Sequence, residues 1–357
     1  MSTDTETWAY TGRRYTVYRF PPDVERDLKA LNTPDNWHAL LAWFEDLVWM
    51  AGCVLLCVYG SYWFYPLAAL VIGARQRGLN SILHECAHGV AMSNRKLQMA
   101  VGTVLTAYPI FQQHYAYKVS HVYTHHPRLG SPDLDPDLRF FIEQGVYKKS
   151  TAPKYVRRVV LMPLFGSQTS AYIRYVIRSR SRVLTGPERS AAPASPVQRR
   201  KRLLDRLSFW AFWATVAGAA WYGDWFIELL LFWIVPYLTS FQIMGWYIEL
   251  SEHTPLVRDS SLDLYMTRNR KSRLWERLLT GIHNDHYHLE HHLDPRTPFY
   301  KLAQAREIRM RDPKYAAVDA QFGGLWHRGP QGQPSAITAI VRSMVQDEKV
   351  SGVLDLR

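Results

Sequence analysis

Two apolar stretches, from about Trp43 to Leu79 and from Ser208 to Leu250, restrict what this chain can fold into. Each is long enough for two tightly joined helices of roughly 18 residues, near the lower limit for crossing a bilayer. Gly60 and Pro66 break the first stretch, and Gly223 and Asp224 break the second; these residue types turn a chain. The pattern predicts two helical hairpins, each returning the chain to the side from which it came. A third stretch, Leu97 to Phe111, has the length of a buried or re-entrant segment. A shallow excursion there keeps the residues before and after it on one face.

At 357 residues the chain can bury a sizeable core. Its slightly negative mean hydropathy argues against a protein made mostly of lipid-facing helices, and fits a few spans carrying a large polar part. The formal charge of +12 would suit nucleic acid, an anionic membrane face or an acidic partner. Its distribution favours the membrane face and gives no nucleic-acid partner. Arg174, Arg178, Arg180, Arg182, Arg199, Arg200, Lys201, Arg202 and Arg206 precede the second apolar stretch, where the positive-inside rule places a cytoplasmic loop. A solvated loop without a partner fits the same residues.

The expected organisation follows. Residues 1–42 form a cytoplasmic amino-terminal segment, and 43–178 the first hairpin with two histidine clusters. Residues 179–206 are a basic polar linker containing Gly186, Pro187, Pro193 and Pro196. Residues 207–250 form the second hairpin, and 251–357 a cytoplasmic segment with the third cluster. Three cysteines, Cys53, Cys57 and Cys86, give neither a disulfide framework nor a thiolate metal spacing, and read as reduced. Met1 to Trp8 is polar and acidic, without the order of a signal peptide, so insertion would come from internal segments.

Histidine carries the chemistry. The first cluster is His84-Glu-Cys-Ala-His88, with imidazoles four apart and therefore on one face of a helix. In the second, His121-Val-Tyr-Thr-His125-His126, an α-helix would put His121 and His125 on one face and turn His126 roughly 100° away. The third is His288-Leu-Glu-His291-His292. Imidazole suits iron, copper, nickel and zinc. Eight histidines exceed what one ion binds, so the count points to two. A nitrogen-rich pair of redox metals would give dioxygen a place to react and allow hydrogen abstraction from an unactivated carbon.

Two other classes fit parts of the pattern. His84-Glu85-Cys86-Ala87-His88 matches the H-E-x-x-H of an intramembrane zinc protease, but a hydrolase has no use for the other two clusters. A metal transporter or sensor would spread its histidines along a transmembrane path, whereas these lie beside the ends of apolar segments. His38, His114, His286 and His327 stand alone and read as structural.

The succession HECAHG, HVYTHH and HYHLEHHLDP resembles the membrane fatty-acid desaturase and hydroxylase superfamily, whose pattern is H-x(3,4)-H, H-x(2,3)-H-H and H/Q-x-x-H-H. All three boxes occur in order between His84 and Pro295. The resemblance implies an all-α, integral-membrane bundle of four transmembrane helices (two hairpins) beneath a cytoplasmic helical cap. It implies two non-heme irons held by His84, His88, His121, His125, His126, His288, His291 and His292, with dioxygen as co-substrate. His253, just after the last apolar stretch, stands where members often recruit a further ligand. Asn284 is placed to hold a water near one metal.

Glu85, Asp135, Asp137, Glu252, Asp285 and Glu290 are candidates for orienting imidazoles from behind. The implied reaction is desaturation of a fatty acyl chain or similar alkyl substrate. The alternative is hydroxylation or ketolation of a lipid, carotenoid or small carrier-bound metabolite. No heme or iron-sulfur segment is fused to the chain. Electrons would then come from a separate ferredoxin, rubredoxin or cytochrome b5-type donor.

Overall fold

The computed structural model describes residues 15–181 and 196–346. Met1 to Trp8 and, in the expected linker, Gly186, Pro187 and Pro193 lie outside the described residues. The described chain is helical, with no strand; its one isolated bridge joins Thr16 and Leu262.

In chain order the principal helices are α1 (Pro22–Leu31), α2 (His38–Gly60), α3 (Tyr65–His88) and α4 (Arg95–Ala100). They continue with α5 (His114–Ser120), α6 (Pro136–Glu143), α7 (Thr169–Val176), α8 (Pro196–Tyr222) and α9 (Phe226–Asp259). The last five are α10 (Leu274–Thr280), α11 (His288–Leu293), α12 (Leu302–Arg309), α13 (Pro313–Asp319) and α14 (Ala336–Gln346).

The breaks fall where turn chemistry requires them. Between α2 and α3 the Ser61 hydroxyl accepts from the Trp63 amide, and Pro66 stands in the first turn of α3, where its missing N–H removes no helical bond. Between α8 and α9, Asp224 adopts a positive φ of 59°. α8 begins at Pro196, inside the expected linker. Its first turns are rich in Gln, Arg, Lys and Leu, all good helix formers, so the basic stretch up to Arg206 is helical.

The chain divides into two compact units. Of the described residues, one comprises 35–122, 169–181 and 196–242. Its core gathers Ile72, Leu79 and Leu83 of α3 with Tyr117, Phe209 and Phe241. Two glycines on α3 permit close approach: a Cβ at Gly73 would stand 2.7 Å from the Phe241 amide, and one at Gly78 2.7 Å from Asp46 Oδ1. The buried Asp46 carboxylate pairs with Arg75 at 3.3 Å.

α2 and α9 are long and apolar enough to cross a membrane; only 22% and 33% of their apolar windows are covered by protein. On α2, Leu41, Phe44, Val48 and Leu55 are exposed at helical spacing. An apolar stripe of this kind calls for an apolar surround.

Of the described residues, the other unit comprises 15–34, 123–168 and 243–346. Leu264, Leu289, Tyr315 and Val318 form one of its cores. Asp135 caps α6 by accepting from the amides of Asp137 and Leu138, and Asp312 caps α13 in the same way. Each side chain satisfies amide groups that the helix leaves unpaired.

Candidate metal centre

In the first unit, α3 runs without a break from the apolar stretch into the first histidine box. It stops at Gly89, whose left-handed φ of 84° closes the helix after His88. His84 and His88 stand one turn apart with ring centroids 4.7 Å apart. His121, following α5, brings its ring to 4.7 Å from His84 and 5.4 Å from His88. The ligand atoms of these three lie within 4.8 Å of one another.

In the second unit, α11 supplies the third box. The rings of His125, His253 and His288 surround His292, with centroids 5.4, 4.7 and 4.6 Å from its ring. The ligand atoms of His125, His253 and His292 lie within 4.8 Å of one another, as do those of Glu252, His253 and His288. His126 stacks on His292 at 4.4 Å, and its Nε2 stands 3.1 Å from Nε2 of His291. Nε2 of His253 and Nε2 of His288 are also 3.1 Å apart. His253 therefore gathers with the box histidines of its unit.

The backbone of the second box is not plain α-helix. Residues His121–His125 form a widened π turn, and such turns change which side chains share a face. Within their own units, His121 meets His84 and His88, whereas His125 meets His253 and His292.

Four imidazoles have Nδ1 engaged, which leaves Nε2 as the outward donor. His125 Nδ1 lies 2.9 Å from Asp135 Oδ1 and 3.6 Å from Asp137. His288 Nδ1 is 3.4 Å from Glu252, His84 Nδ1 3.2 Å from Glu85, and His253 Nδ1 3.2 Å from the Met266 carbonyl. This carboxylate or carbonyl behind the ring fixes the tautomer and orientation of metal-bound histidines generally.

Asp285 and Glu290, expected to do the same, do not. Asp285 pairs with Arg270 at 2.8 Å. Glu290 is fully buried and held by Arg309, Tyr315 and Asn269. It stands between the box histidines in sequence, and its partners lie on α12 and α13 and at the loop residue Asn269, so it anchors α11 instead. Asn284, placed by the resemblance near a metal-side water, donates to the Phe299 carbonyl at 3.1 Å.

The donor set fits a transition metal. Two nitrogens each about 2.1 Å from one ion, at angles near 90°, stand about 3 Å apart; this is the spacing of both Nε2 pairs. His292 gives the sharper test. Both its ring nitrogens are buried and have no hydrogen-bond partner among the described residues, an arrangement that loses free energy unless a ligand satisfies them. Burial first, and then His126, His253, His288 and His125 around it, hold its pKa well below the ordinary value. The ring is therefore neutral, the form that binds metal.

The solitary histidines fall elsewhere. His327 lies 3.0 Å from Glu276, and His38 pairs with Asp35 at the start of α2. His114 is buried behind α3 beside Gly102. His286, with its pKa lowered to about 4 by burial and then by Arg270, bonds the Gly281 carbonyl. Sequence reasoning missed Asn269, Arg309 and Tyr315. They hold α11 across 19 to 25 residues, and no local spacing marks them.

Comparison with known proteins agrees with the histidine pattern. Residues 60–323 match the family Fatty acid desaturase. The chain is 41% identical over 335 residues to dihydrorhizobitoxine desaturase of Bradyrhizobium elkanii, covering 94% of this chain and 93% of that protein. It is 27% identical over 288 residues to the sn-1 acyl-lipid omega-3 desaturase (ferredoxin) of Synechocystis sp., covering 77% and 75%. The three histidine boxes, the two membrane-length helices and a match spanning most of the sequence agree: the chain belongs to the fatty acid desaturase family, and is an oxidoreductase of the desaturase type.

Proposed function

We propose that this protein is an integral-membrane, dioxygen-dependent desaturase holding two non-heme irons. His84, His88 and His121 belong to one iron, and His125, His253, His288 and His292 to the other. His126 and His291 complete the donor set. The observation that carries this reading is His292, a buried neutral imidazole with both nitrogens unsatisfied among rings of its own kind.

Bound iron would supply the one-electron chemistry with dioxygen that removes two hydrogens from adjacent carbons of an alkyl substrate. The protein's part is orientation. Asp135 holds His125 and Glu252 holds His288, so each presents Nε2. Glu290, pinned by Arg309 and Tyr315, fixes the helix that carries His288, His291 and His292. Burial of these rings excludes water that would compete as ligand or quench an oxidant.

The proposed architecture has four transmembrane helices in two hairpins, with the histidine boxes on the cytoplasmic side. The apolar exposed stripe of α2 and the basic beginning of α8 support it. Electrons come from a separate acidic carrier of the ferredoxin type, as the name of the Synechocystis relative indicates for that enzyme. The net charge of +12 suits an acidic carrier.

The proposed substrate is dihydrorhizobitoxine or a close analogue, because the relative named for it matches along nearly the full length of both chains. An acyl lipid, after the second relative, is the other reading. Metal analysis of the purified protein, with turnover of both candidates under labelled dioxygen and a reduced ferredoxin, tests the proposal. About two irons per chain and an unlabelled desaturated product are expected. Zinc in place of iron, or labelled oxygen retained in the product, would refute it.

A further inference from the structure

Three glutamines in the first unit are buried with polar atoms left unpaired. Gln76 of α3 is 0% exposed, Gln112 is 1% exposed, and Gln242 of α9 is 1% exposed. Gln76 Nε2 donates to the Trp233 carbonyl at 2.9 Å, and Gln112 Nε2 donates to Asn80 Oδ1 at 2.9 Å. Those bonds fix Oε1 of each as an acceptor, and neither Oε1 has a partner among the described residues. Gln242 Oε1 likewise has no partner among the described residues, and its Nε2 is set against the Tyr237 hydroxyl.

The three belong to segments that pack together. Phe111, beside Gln112, lies 4.8 Å from the Tyr237 ring of α9. The Phe241 backbone, beside Gln242, lies against Gly73, one turn before Gln76. Gln76, Asn80 and His84 follow at intervals of four on α3, so one face of that helix leads from the amides to the first histidine box.

A slot for a purely hydrocarbon chain would not retain these groups. A buried acceptor without a donor loses about 1–3 kcal/mol relative to its hydrated state, and leucine at each position would remove the penalty. We infer that Gln76, Gln112 and Gln242 form a subsite for a substrate whose alkyl chain carries hydrogen-bond donors, hydroxyl or ammonium. This rests on the desaturase reading and narrows its substrate class: two fixed acceptors require donors, which an alkane or ester does not have.

The test uses the full-length, detergent-solubilised, iron-loaded protein and titration calorimetry. One probe is 2-aminooctan-1-ol. The other is its N,N,N-trimethyl, O-methyl derivative, which keeps chain and charge but has no donor hydrogens. The wild type is expected to bind the first about tenfold more tightly or better, the difference one charge-assisted hydrogen bond supplies. Gln242→Leu removes the unpaired acceptor together with the contact to Tyr237, and Tyr237→Phe removes that contact alone. Gln242→Leu is expected to abolish the preference, and Tyr237→Phe to keep it.

Equal binding of the two probes by the wild type overturns the subsite. So does a preference that survives in Gln242→Leu, or one that Tyr237→Phe abolishes as completely. Iron content and dioxygen-dependent turnover are measured on the same samples. A subsite that fails in an active iron enzyme leaves the desaturase reading intact, whereas probe discrimination in a protein without iron would sink that reading alone.

Discussion

Asp135 serves two masters, and separating them gives the most exact test of how this fold builds its metal centre. Its Oδ1 accepts from His125 Nδ1 at 2.9 Å and from the amides of Asp137 and Leu138 at 3.0 and 3.3 Å; its Oδ2 accepts from the Gly130 amide at 3.2 Å. In Asp135→Asn the three bonds at Oδ1 can persist, because asparagine caps helices as well as aspartate does. The charge behind His125 disappears, and the Gly130 amide faces an NH2 group.

Leaving that buried donor unpaired costs about 1–3 kcal/mol. Tm should fall by a few degrees, since each kcal/mol is worth about 2–4 °C in a domain of 150–250 residues and less in a longer chain. Losing the carboxylate behind a metal-bound imidazole typically weakens metal affinity or activity by about 10–100-fold. Asp135→Ala should show the same loss of iron and a clearly larger fall in Tm, because the helix cap, worth about 1 kcal/mol, goes as well. Iron retained after dialysis against a chelator series, read beside thermal unfolding in detergent, separates the two roles. If both variants hold iron like the wild type, Asp135 is only a cap and the orientation argument for His125 is wrong.

His125→Ala should abolish turnover while membrane insertion persists, whereas His327→Ala, away from the histidine sets, should keep near wild-type turnover; a live His125→Ala enzyme would remove the second box from the centre. Arg309→Leu strands the Glu290 carboxylate, and breaking a buried pair costs about 3–5 kcal/mol, so it should unfold at markedly lower temperature; Arg309→Leu with Glu290→Gln should recover part of that, and no recovery would mean the two do not act as a pair. Asp263 has its pKa raised to about 6, mainly by burial. The folded state therefore binds its proton more tightly than the unfolded state, and the stability this adds is present below the ordinary carboxylate range and lost as pH rises through about 6. Asp263→Asn should accordingly gain Tm relative to the wild type between pH 5 and pH 7, a gap that calorimetric scans at both values would detect; a constant gap would show that Asp263 does not titrate there.

What could be read from the sequence was local. The spacing of His84 with His88, and of His288 with His291 and His292, fixes their grouping within a turn or two of helix, and Gly223 with Asp224 marks a turn by residue chemistry alone. His253 was legible only through the family resemblance. Three features were not legible. Glu290 looks like a partner for the histidines beside it, but its burial is satisfied by Arg309 and Tyr315, which only tertiary packing brings near. The π turn at His121–His125 has no signature in HVYTH. The basic residues after Pro196 read as a solvated loop because charge masks helix propensity.

The π turn makes the enzyme sensitive to length more than to composition at this point. Val122 packs on the core of its unit, but neither it nor Tyr123 or Thr124 coordinates anything in the proposed centre. Adding or deleting a single residue there would keep every histidine yet swing all that follow by about 100°. Variation in this stretch should consequently be tolerated as exchange and rejected as insertion.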